Sequence, residues 1–284
     1  MSTRSENPEQ TEASEQIELN ELIMEGLAPI EPSPQRQRAL RARLMERVAL
    51  SAAQHAGLLT VRRKDGRWRT IKAGVRLKHL WTGLAGSSVL IEFAPGTALP
   101  AHRHNWVEEG IVLQGGLQMD DLDMGPFDYH MSPAGSRHGL IRSRQGALAY
   151  LRGTSLGHTA SVVRELLGGL LPSRGEPAHT VFSNEEGWEQ LGPGVQKKEL
   201  WSDGTLTSGF CRFAPGARFP GHAHPVEEEC MMLSGEVFLG DILLSAGDYQ
   251  LAAAGSMHGE VFSEVGALFF FRGAIEGKGG RKQP

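Results

Sequence analysis

The sequence repeats itself at a fixed distance. When the chain is shifted by 120 residues, residues 61–153 fall on 181–273 without a gap, and 33 of the 93 positions are identical. The longest identical run, Phe-Ala-Pro-Gly, occupies residues 93–96 and returns at 213–216. Such internal similarity indicates two copies of one folding unit. We therefore expect two domains of the same fold in this chain of 284 residues.

Each copy has the pattern of short strands separated by turns. The run Ser88–Phe93 contains valine, isoleucine and phenylalanine and is followed by Pro95-Gly96, a turn signal. The apolar runs Leu148–Leu151 and Leu268–Phe271 have the length of short buried strands. No long helical pattern lies inside either copy, so the spacing predicts an all-β barrel or sandwich.

The segments outside the repeat have a different composition. Residues 1–16 contain four glutamates and no aromatic residue, which predicts a disordered acidic tail. Ser33 followed by Pro34 predicts the start of a helix that runs to about Ala56 and packs on a barrel or a second copy of the chain, or else binds a partner. The predicted organisation is a tail 1–16, a helical segment 17–57, a first barrel 58–155, a linker 156–178, a second barrel 179–274 and a flexible tail 275–284.

Composition and charge exclude several classes of function. A net charge of −4 gives no basic field for direct binding of nucleic acid. No apolar run reaches the length of a membrane span, and the start of the chain lacks the layout of a signal peptide. Two cysteines make no disulfide framework. We therefore expect a cytoplasmic protein with no membrane contact.

Both copies carry the same spacing of metal-ligand residues. From Gly96 the chain runs through His102, His104 and Glu108 to Gly115, and His138 follows later. Two histidines separated by one residue share a face of a strand, as ligands of one ion must. The second copy repeats this set with identical spacing as His222, His224, Glu228 and His258. Imidazole nitrogens with a carboxylate suit zinc, iron or manganese, so we predict two divalent metals per chain.

Other repeated or neighbouring residues are weaker candidates for the surroundings of these sites. We consider five of them as residues near the ligands or in the pocket: Glu109, Trp106, Cys230, Arg152 and Arg272. The two arginines are interpreted mainly as buried residues at the barrel end, with contact to an anionic substrate as the alternative. Cys230 is interpreted mainly as a small buried residue, with a redox-sensitive thiol as the alternative.

Some residues are expected to have no functional part. Glu229, next to a predicted ligand, reads as a solvated acidic residue like Glu227. His130 lacks a histidine at the corresponding place of the second copy and is interpreted as structural or exposed. No separate nucleophile or general base can be identified, so the catalytic residues stay unknown.

The ligand spacing resembles the two motifs of the cupin family, Gly-x5-His-x-His-x3-Glu-x6-Gly and Pro-x-Gly-x2-His. The first motif is complete in both repeats. The second motif begins with Pro133 in the first repeat but with Ala253 in the second. The asparagine that often follows its histidine by four residues is replaced by Arg142 and Phe262. The doubled glutamates look most like those of the ChrR-type cupins, named after an anti-sigma factor. The resemblance implies two tandem jelly-roll barrels of the double-stranded β-helix type with a short helical N-terminal extension.

We predict a metal-binding protein with a sensor or regulatory function, and a dioxygenase is the alternative. The sensor or regulator would have four-ligand metal sites, and a sigma factor would be its partner. A zinc anti-sigma motif needs histidine and cysteine ligands, and residues 1–60 contain no cysteine and only His55. The sequence therefore does not support a sigma factor as the partner. The alternative is a non-haem iron or manganese dioxygenase acting on a small dicarbonyl-type substrate. Either function is compatible with a small-molecule ligand, and we expect a homo-oligomer.

Overall fold

The computed structural model describes residues 19–24, 26–27, 32–156, 168–169 and 176–274. The predicted tails, 1–16 and 275–284, and most of the predicted linker lie outside these residues. The chain divides into a unit of residues 1–53 and a unit of residues 54–284, which contains both barrels. Among the helices of the described residues, none is both long and apolar enough to cross a membrane.

The N-terminal unit contains the predicted helix, which spans Pro34–Gln54. The backbone N–H of Arg36 donates a hydrogen bond to Ser33 Oγ at 3.3 Å, so Ser33 caps the helix as its sequence predicts. Residues 19–24 and 26 are also helical. None of the residues of the Pro34–Gln54 helix is buried.

The unit of residues 54–284 is built from strands. Those of the first repeat are β1 (Leu58–Val61), β2 (Trp68–Lys72), β3 (Val75–Gly83), β4 (Gly86–Phe93), β5 (Thr97–Leu99), β6 (His102–Arg103), β7 (Glu108–Gly115), β8 (Leu117–Met119), β9 (Leu122–Met124), β10 (Tyr129–Ser132), β11 (Arg137–His138), β12 (Ile141–Ser143) and β13 (Ala147–Thr154). Those of the second are β14 (His179–Val181), β15 (Trp188–Gly192), β16 (Val195–Ser202), β17 (Leu206–Phe213), β18 (Arg218–Phe219), β19 (His222–Ala223), β20 (Glu228–Leu239), β21 (Ile242–Ser245), β22 (Tyr249–Ala252), β23 (Met257–His258), β24 (Val261–Phe262) and β25 (Ala267–Ala274).

The two repeats form equivalent barrels. In the first, a sheet ordered β14-β10-β7-β13-β4-β3-β2 and a sheet ordered β5-β12-β8-β9 share one apolar cluster, to which Val75, Ile91, Leu117 and Ile141 belong. In the second, the strand order β1-β22-β20-β25-β17-β16-β15 repeats the larger sheet, and β20 also pairs with β21 and β24. The predicted all-β class with a helical N-terminal extension is confirmed.

The barrels exchange their first strands. β1, which precedes the first barrel in the chain, pairs with β22 of the second, while β14 pairs with β10 of the first. A third apolar cluster takes buried residues from both repeats, including Tyr129 and Tyr150 of the first and Tyr249 and Phe270 of the second. Strand pairing thus crosses the predicted bounds 58–155 and 179–274, and the two barrels share a core.

The glycine that ends the first motif has a steric reason. Gly115 has φ of 73°, a left-handed conformation that side chains other than glycine rarely adopt. A Cβ atom at this position would lie 2.0 Å from the carbonyl oxygen of Gly146. Gly235 makes the same close approach, to Gly266, in the second barrel. The motif therefore ends in glycine because two backbone segments meet there.

Candidate metal centres

The first predicted metal site is assembled from three places in the barrel. His102 lies on β6 and stands opposite His138 of β11, while His104 follows β6 and Glu108 begins β7. Ligand atoms of His102, His104 and Glu108 lie within 4.8 Å of one another. The ring centre of His138 is 4.8 Å from that of His104 and 5.7 Å from that of His102. Three of the four predicted ligands thus form one group, and the fourth lies beside it.

The second predicted site is more closed. Ligand atoms of His222, His224, Glu228 and His258 all lie within 4.8 Å of one another. Glu228 Oε1 is 3.6 Å from His224 Nε2 and 3.9 Å from His222 Nε2. The ring centres of His224 and His258 are 4.4 Å apart. Here all four predicted ligands converge on one point.

The buried nitrogens of both sites fit a metal ion. Both ring nitrogens of His104 and Nε2 of His224 are buried and have no hydrogen-bond partner, which is costly. An ion bound at one nitrogen of each ring would satisfy that nitrogen. Burial, and then the neighbouring His102, lower the pKa of His104 to about 3. Burial and His224 lower the pKa of His258 to about 4. These histidines are therefore neutral at pH 7, which is the form that binds metals.

The last histidine of each set is oriented by a different residue in each barrel. His138 Nε2 lies 2.8 Å from Ser132 Oγ. His258 Nε2 lies 2.8 Å from Gln250 Oε1, a carbonyl oxygen that can only accept, so this nitrogen donates and Nδ1 keeps its lone pair. Such outer hydrogen bonds fix the tautomer of a ligand histidine. Comparison of the two repeats did not indicate these hydrogen bonds, because Ser132 corresponds to Ala252 in the second repeat.

A large apolar cavity opens onto the first site. Its volume is about 710 Å³, within the usual range for small-molecule sites. Its wall contains His102, Glu108 and His138. The rest of the wall is mainly aliphatic and aromatic and includes Leu77, Ile91, Phe93, Leu99, Val112, Leu117, Met119, Met124, Ile141, Ala149 and Leu151. The first site therefore has room for a small organic molecule.

The corresponding space in the second barrel is filled by side chains. The cavity beside His222, Glu228 and His258 has a volume of about 70 Å³, enough for about two water molecules. Aromatic rings line it at three positions where the first repeat has aliphatic residues: Phe219 for Leu99, Phe269 for Ala149 and Phe271 for Leu151. The two sites thus share their predicted ligands but differ about tenfold in the space beside them.

The glutamate that follows each predicted ligand glutamate joins the two barrels. Glu109 is 1% exposed and accepts hydrogen bonds from Tyr129 at 2.6 Å and from Nε of Arg272, in the other repeat, at 2.7 Å. Burial, together with the charge of Glu109, raises the pKa of Tyr129, so its hydroxyl stays a donor. Glu109 and Arg272 therefore hold the barrels together and do not line the first cavity.

The second repeat makes the reciprocal contact. Glu229 accepts hydrogen bonds from Arg152 Nε at 2.8 Å, from Tyr249 at 2.8 Å and from Tyr150 at 2.9 Å, and also from the hydroxyl of Ser88. The expectation that Glu229 is a solvated residue is wrong, since it is 2% exposed. Four donors, three of them from the first repeat, hold its carboxylate at the interface.

The two remaining candidates lie in different places. Cys230 is buried in the wall of the second cavity together with Cys211. Burial raises the pKa of the Cys230 thiol well above its usual value, which favours the small buried residue over a reactive thiol. Trp106 is half-buried and is not among the described residues that line the first cavity.

His130 is the residue of the first site that the repeat did not indicate. It is 9% exposed and lies in the wall of the first cavity, with its ring centre 5.0 Å from that of His138. Its Nδ1 is 2.8 Å from Thr180 Oγ1 on the exchanged strand β14, whereas its Nε2 is buried without a hydrogen-bond partner. Burial lowers its pKa to about 4, against the opposing effect of Glu108. Of the two predicted alternatives, structural or exposed, the exposed one is excluded.

Comparisons with known proteins agree with this architecture. A protein from Nostoc punctiforme described as a proposed dioxygenase superposes with a TM-score of 0.57 at 16% identity, covering 76% of this chain and 81% of the other. Oxalate decarboxylase of Lactobacillus farciminis, in its formate complex, superposes with a TM-score of 0.55 at 14% identity, covering 76% and 86%. At these identities the likeness shows the two-barrel fold alone.

Sequence comparison identifies the family. The anti-sigma-E factor ChrR of Cereibacter sphaeroides is 32% identical over 83 residues, which are 29% of this chain, so the chain spans 39% of that relative. The model of the ChrR cupin-like domain matches twice, over residues 56–156 and 176–275. These two regions hold both predicted ligand sets and make up most of the sequence. The chain belongs to the ChrR cupin-like domain family and contains two copies of its domain.

Proposed function

We propose that the first barrel is a metal-dependent catalytic site for a small, largely apolar substrate, and that the metal of the second barrel is structural. The observation that carries this proposal is the cavity of about 710 Å³ that reaches His102 and Glu108, against about 70 Å³ at the equivalent place in the second barrel. Ligand pockets in proteins are mainly apolar with a small number of precisely placed polar groups. The first cavity matches this description and the second does not.

The ligand geometry supports the same division. Structural zinc sites are closed by four protein ligands, whereas catalytic sites keep three and leave a position open. In the second barrel four ligand atoms lie within 4.8 Å of one another, and in the first barrel those of His102, His104 and Glu108 do. The ring centre of His138 is 4.8 Å from that of His104, against 4.4 Å for the equivalent pair in the second barrel, so the first site is slightly less compact. The more compact ligand group thus supports a structural metal in the second barrel, and the cavity supports a substrate site in the first.

The first barrel's residues would hold the ion and position the substrate. His102, His104 and Glu108, with His138 as a fourth ligand, would bind the metal. When bound, iron or manganese would supply Lewis-acid activation of two chelating substrate oxygens and electron transfer to dioxygen. The aliphatic wall would bind the body of the substrate and exclude water from the site. The reaction that this arrangement supports best is oxygen-dependent cleavage of a small dicarbonyl-type substrate.

A regulatory function is the second candidate, and the relation to the anti-sigma factor ChrR favours it. The same cavity would then bind a ligand without converting it. The matched region of ChrR is 83 residues, and residues 1–60 of this chain lack the cysteines of a zinc anti-sigma motif. The relation therefore supports ligand-dependent regulation without supporting a sigma factor as the partner.

Metal analysis followed by oxygen uptake separates these functions. Protein purified without an affinity tag or added metal is analysed by elemental mass spectrometry and then screened for oxygen uptake with dicarbonyl and phenolic compounds. The catalytic proposal expects iron or manganese and an uptake that disappears in the His102→Ala, His104→Ala variant. The matched control, His222→Ala with His224→Ala, should lose the other metal equivalent and keep oxygen uptake in the fraction that folds. Zinc at both sites, with ligand binding and no uptake, would favour the regulator.

A further inference from the structure

The opening of the first cavity carries positive charge. Among the described residues of the cavity wall, the exposed ones are Arg69, Ile71 and Lys72 of β2 together with Pro100. The rest of the described wall is buried or half-buried. The cavity therefore reaches solvent beside β2, and two of the three β2 residues at this opening are cations.

The register of the strands explains why these two side chains face the cavity. β2 is the last strand of the larger sheet of the first barrel. Arg69 stands opposite Leu77, a buried residue of the cavity wall, and Lys72 stands opposite the buried Val75. Cross-strand partners lie on the same face of a sheet. Both cations are thus on the inner face of the barrel, at the edge of its sheet.

The equivalent positions of the second barrel are not cationic. Glu189 and Gly192 occupy the places of Arg69 and Lys72. Glu189 stands opposite Lys197, which is the one lysine or arginine in the described wall of the second cavity. The register of that barrel therefore places an acid beside its cation, whereas the first barrel has two cations and an apolar partner.

The excess of positive charge is local to the first repeat. Residues 61–78 contain eight lysines and arginines and one aspartate, while the equivalent residues 181–198 contain two lysines and three glutamates. The chain as a whole has a net charge of −4, so this segment is not part of a general basic surface. It belongs to the barrel that has the large cavity.

Both cations keep hydrogen-bond donors for a ligand. Lys72 Nζ donates to the carbonyl oxygen of Ala98 at 2.7 Å, which leaves the other N–H groups of the ammonium available. Arg69 presents a planar fork of donors, whose geometry matches a carboxylate. In the part of the wall that the structure describes, Glu108 is the only carboxylate, and it is a predicted metal ligand. An anion at the opening would therefore be attracted by both cations.

The arginines that the sequence offers for contact with an anionic substrate are engaged elsewhere. Arg152 donates to Glu229 and Arg272 donates to Glu109, both at the interface between the barrels. Neither arginine belongs to the described wall of the first cavity. The cations that can meet a ligand in this cavity are those of β2.

Resting on the proposed function of the first barrel, we propose that its substrate carries a carboxylate in addition to its chelating oxygens, and that Arg69 and Lys72 bind this carboxylate. The cavity reaches His102 and Glu108 as well as β2, so one molecule can contact both places. The aliphatic wall between them would bind an apolar body. The substrate class is thereby narrowed from any chelating dicarbonyl-type molecule to one with an apolar body and a separate anionic group.

Matched chelators test this inference by binding, without turnover. The monohydroxamates of adipic, suberic and sebacic acid carry a metal-chelating hydroxamate at one end of an apolar chain and a carboxylate at the other. Their monoamides have the same lengths and a neutral end. Each pair is titrated calorimetrically into the zinc-loaded full chain. We expect the carboxylate to bind about tenfold more tightly than the amide at the chain length that connects the metal with β2, and less so at the other lengths.

Variants of the two cations give readouts that a structural role would not move. Arg69→Gln and Lys72→Gln should each lower the preference for the carboxylate by about threefold, and the double variant should abolish it. The affinity for the amides, the metal content and the Tm should stay unchanged, because both side chains are exposed. Arg76→Gln is the matched control, since Arg76 lies on the exposed outer face of β3, where it pairs with Glu92, and it should keep the preference.

Two results would overturn the inference and leave the proposed function standing. One is equal binding of carboxylates and amides at every chain length. The other is a preference that survives the double variant or that falls as much in Arg76→Gln as in Arg69→Gln, since it would then come from the general field of the protein. If no chelator of either series binds the wild-type chain, the proposed small-molecule site fails as well.

Discussion

Replacing Ala149 by phenylalanine is expected to close the first cavity while leaving its metal site in place. Ala149 is 1% exposed on β13 and belongs to the cavity wall. Its counterpart, Phe269, lines the much smaller second cavity. Ala149→Phe therefore gives the first barrel a side chain that the same fold already accommodates at the same position.

The expected change in stability is small because two effects oppose each other. Burying a phenylalanine side chain contributes about 1.5–3 kcal/mol, and forcing extra atoms into a packed core costs about 1–3 kcal/mol. The ring would enter a cavity of about 710 Å³, so the cost lies toward the low end. We expect the free energy of unfolding to change by less than about 2 kcal/mol, a shift in Tm of a few degrees for a unit of this size.

The expected change in ligand binding is large. If the ring takes the space of about four methylene groups of a ligand, about 3 kcal/mol of apolar burial is lost, which is more than about a hundredfold in affinity. Calorimetric titration of hexanohydroxamic acid, a metal chelator whose chain has four methylene groups, into the zinc-loaded chain measures this loss. Elemental mass spectrometry follows the metal, and circular dichroism follows thermal unfolding. The expected outcome is that ligand binding is lost while the metal content and the Tm are retained.

The reciprocal change in the second barrel is the control. Phe269→Ala removes a ring that is 8% exposed, and such substitutions cost about 3–5 kcal/mol. It should destabilise the protein without weakening binding in the first cavity. The reasoning fails if Ala149→Phe keeps wild-type affinity, or if it folds normally and loses the metal of the first barrel.

Two further predictions concern the interface and the buried histidines. Glu229→Gln should lower the free energy of unfolding by about 3–5 kcal/mol. The loss should be larger than for Glu109→Gln, because Glu229 accepts hydrogen bonds from four donors and Glu109 from two. Urea unfolding that gives the larger loss for Glu109→Gln would contradict this prediction. In metal-free protein, burial lowers the pKa of His104 and His138 to about 3 and that of His258 to about 4. As the pH falls, these histidines therefore take up protons in the unfolded chain at a higher pH than in the folded chain. Stability should therefore fall as the pH drops from about 6.5 toward 4, by up to about 1.4 kcal/mol per pH unit for each histidine, and urea unfolding with no dependence on pH in this range would refute it.

The features that sequence analysis predicted are set by short-range spacing. The repeat, the strands and the approach of His102 to His104 follow from backbone periodicity and turn residues, which are local. The helix from Pro34 follows from its cap, Ser33. The grouping of the predicted ligands, four in the second barrel and three in the first, also follows from the spacing, because both repeats place these residues on equivalent strands.

The features that were missed depend on which face of a strand a residue occupies and on contacts between distant segments. Glu228 and Glu229 look alike in an acidic run, but both belong to β20, where neighbouring residues point to opposite faces. One therefore faces the metal site and the other faces the first barrel. The exchange of β1 and β14 could not be predicted, since pairing between segments far apart in the chain leaves no local pattern.

The two barrels differ in a way that suits a protein of marginal stability. An apolar cavity leaves the side chains of its wall without packing partners on one side, and folded proteins have only about 5–15 kcal/mol of net stability. Here the open cavity of the first barrel is attached to a second barrel whose equivalent space is filled by Phe219, Phe269 and Phe271. The shared core and the reciprocal glutamate–arginine contacts connect the two. The filled barrel can therefore stabilise the open one through these contacts.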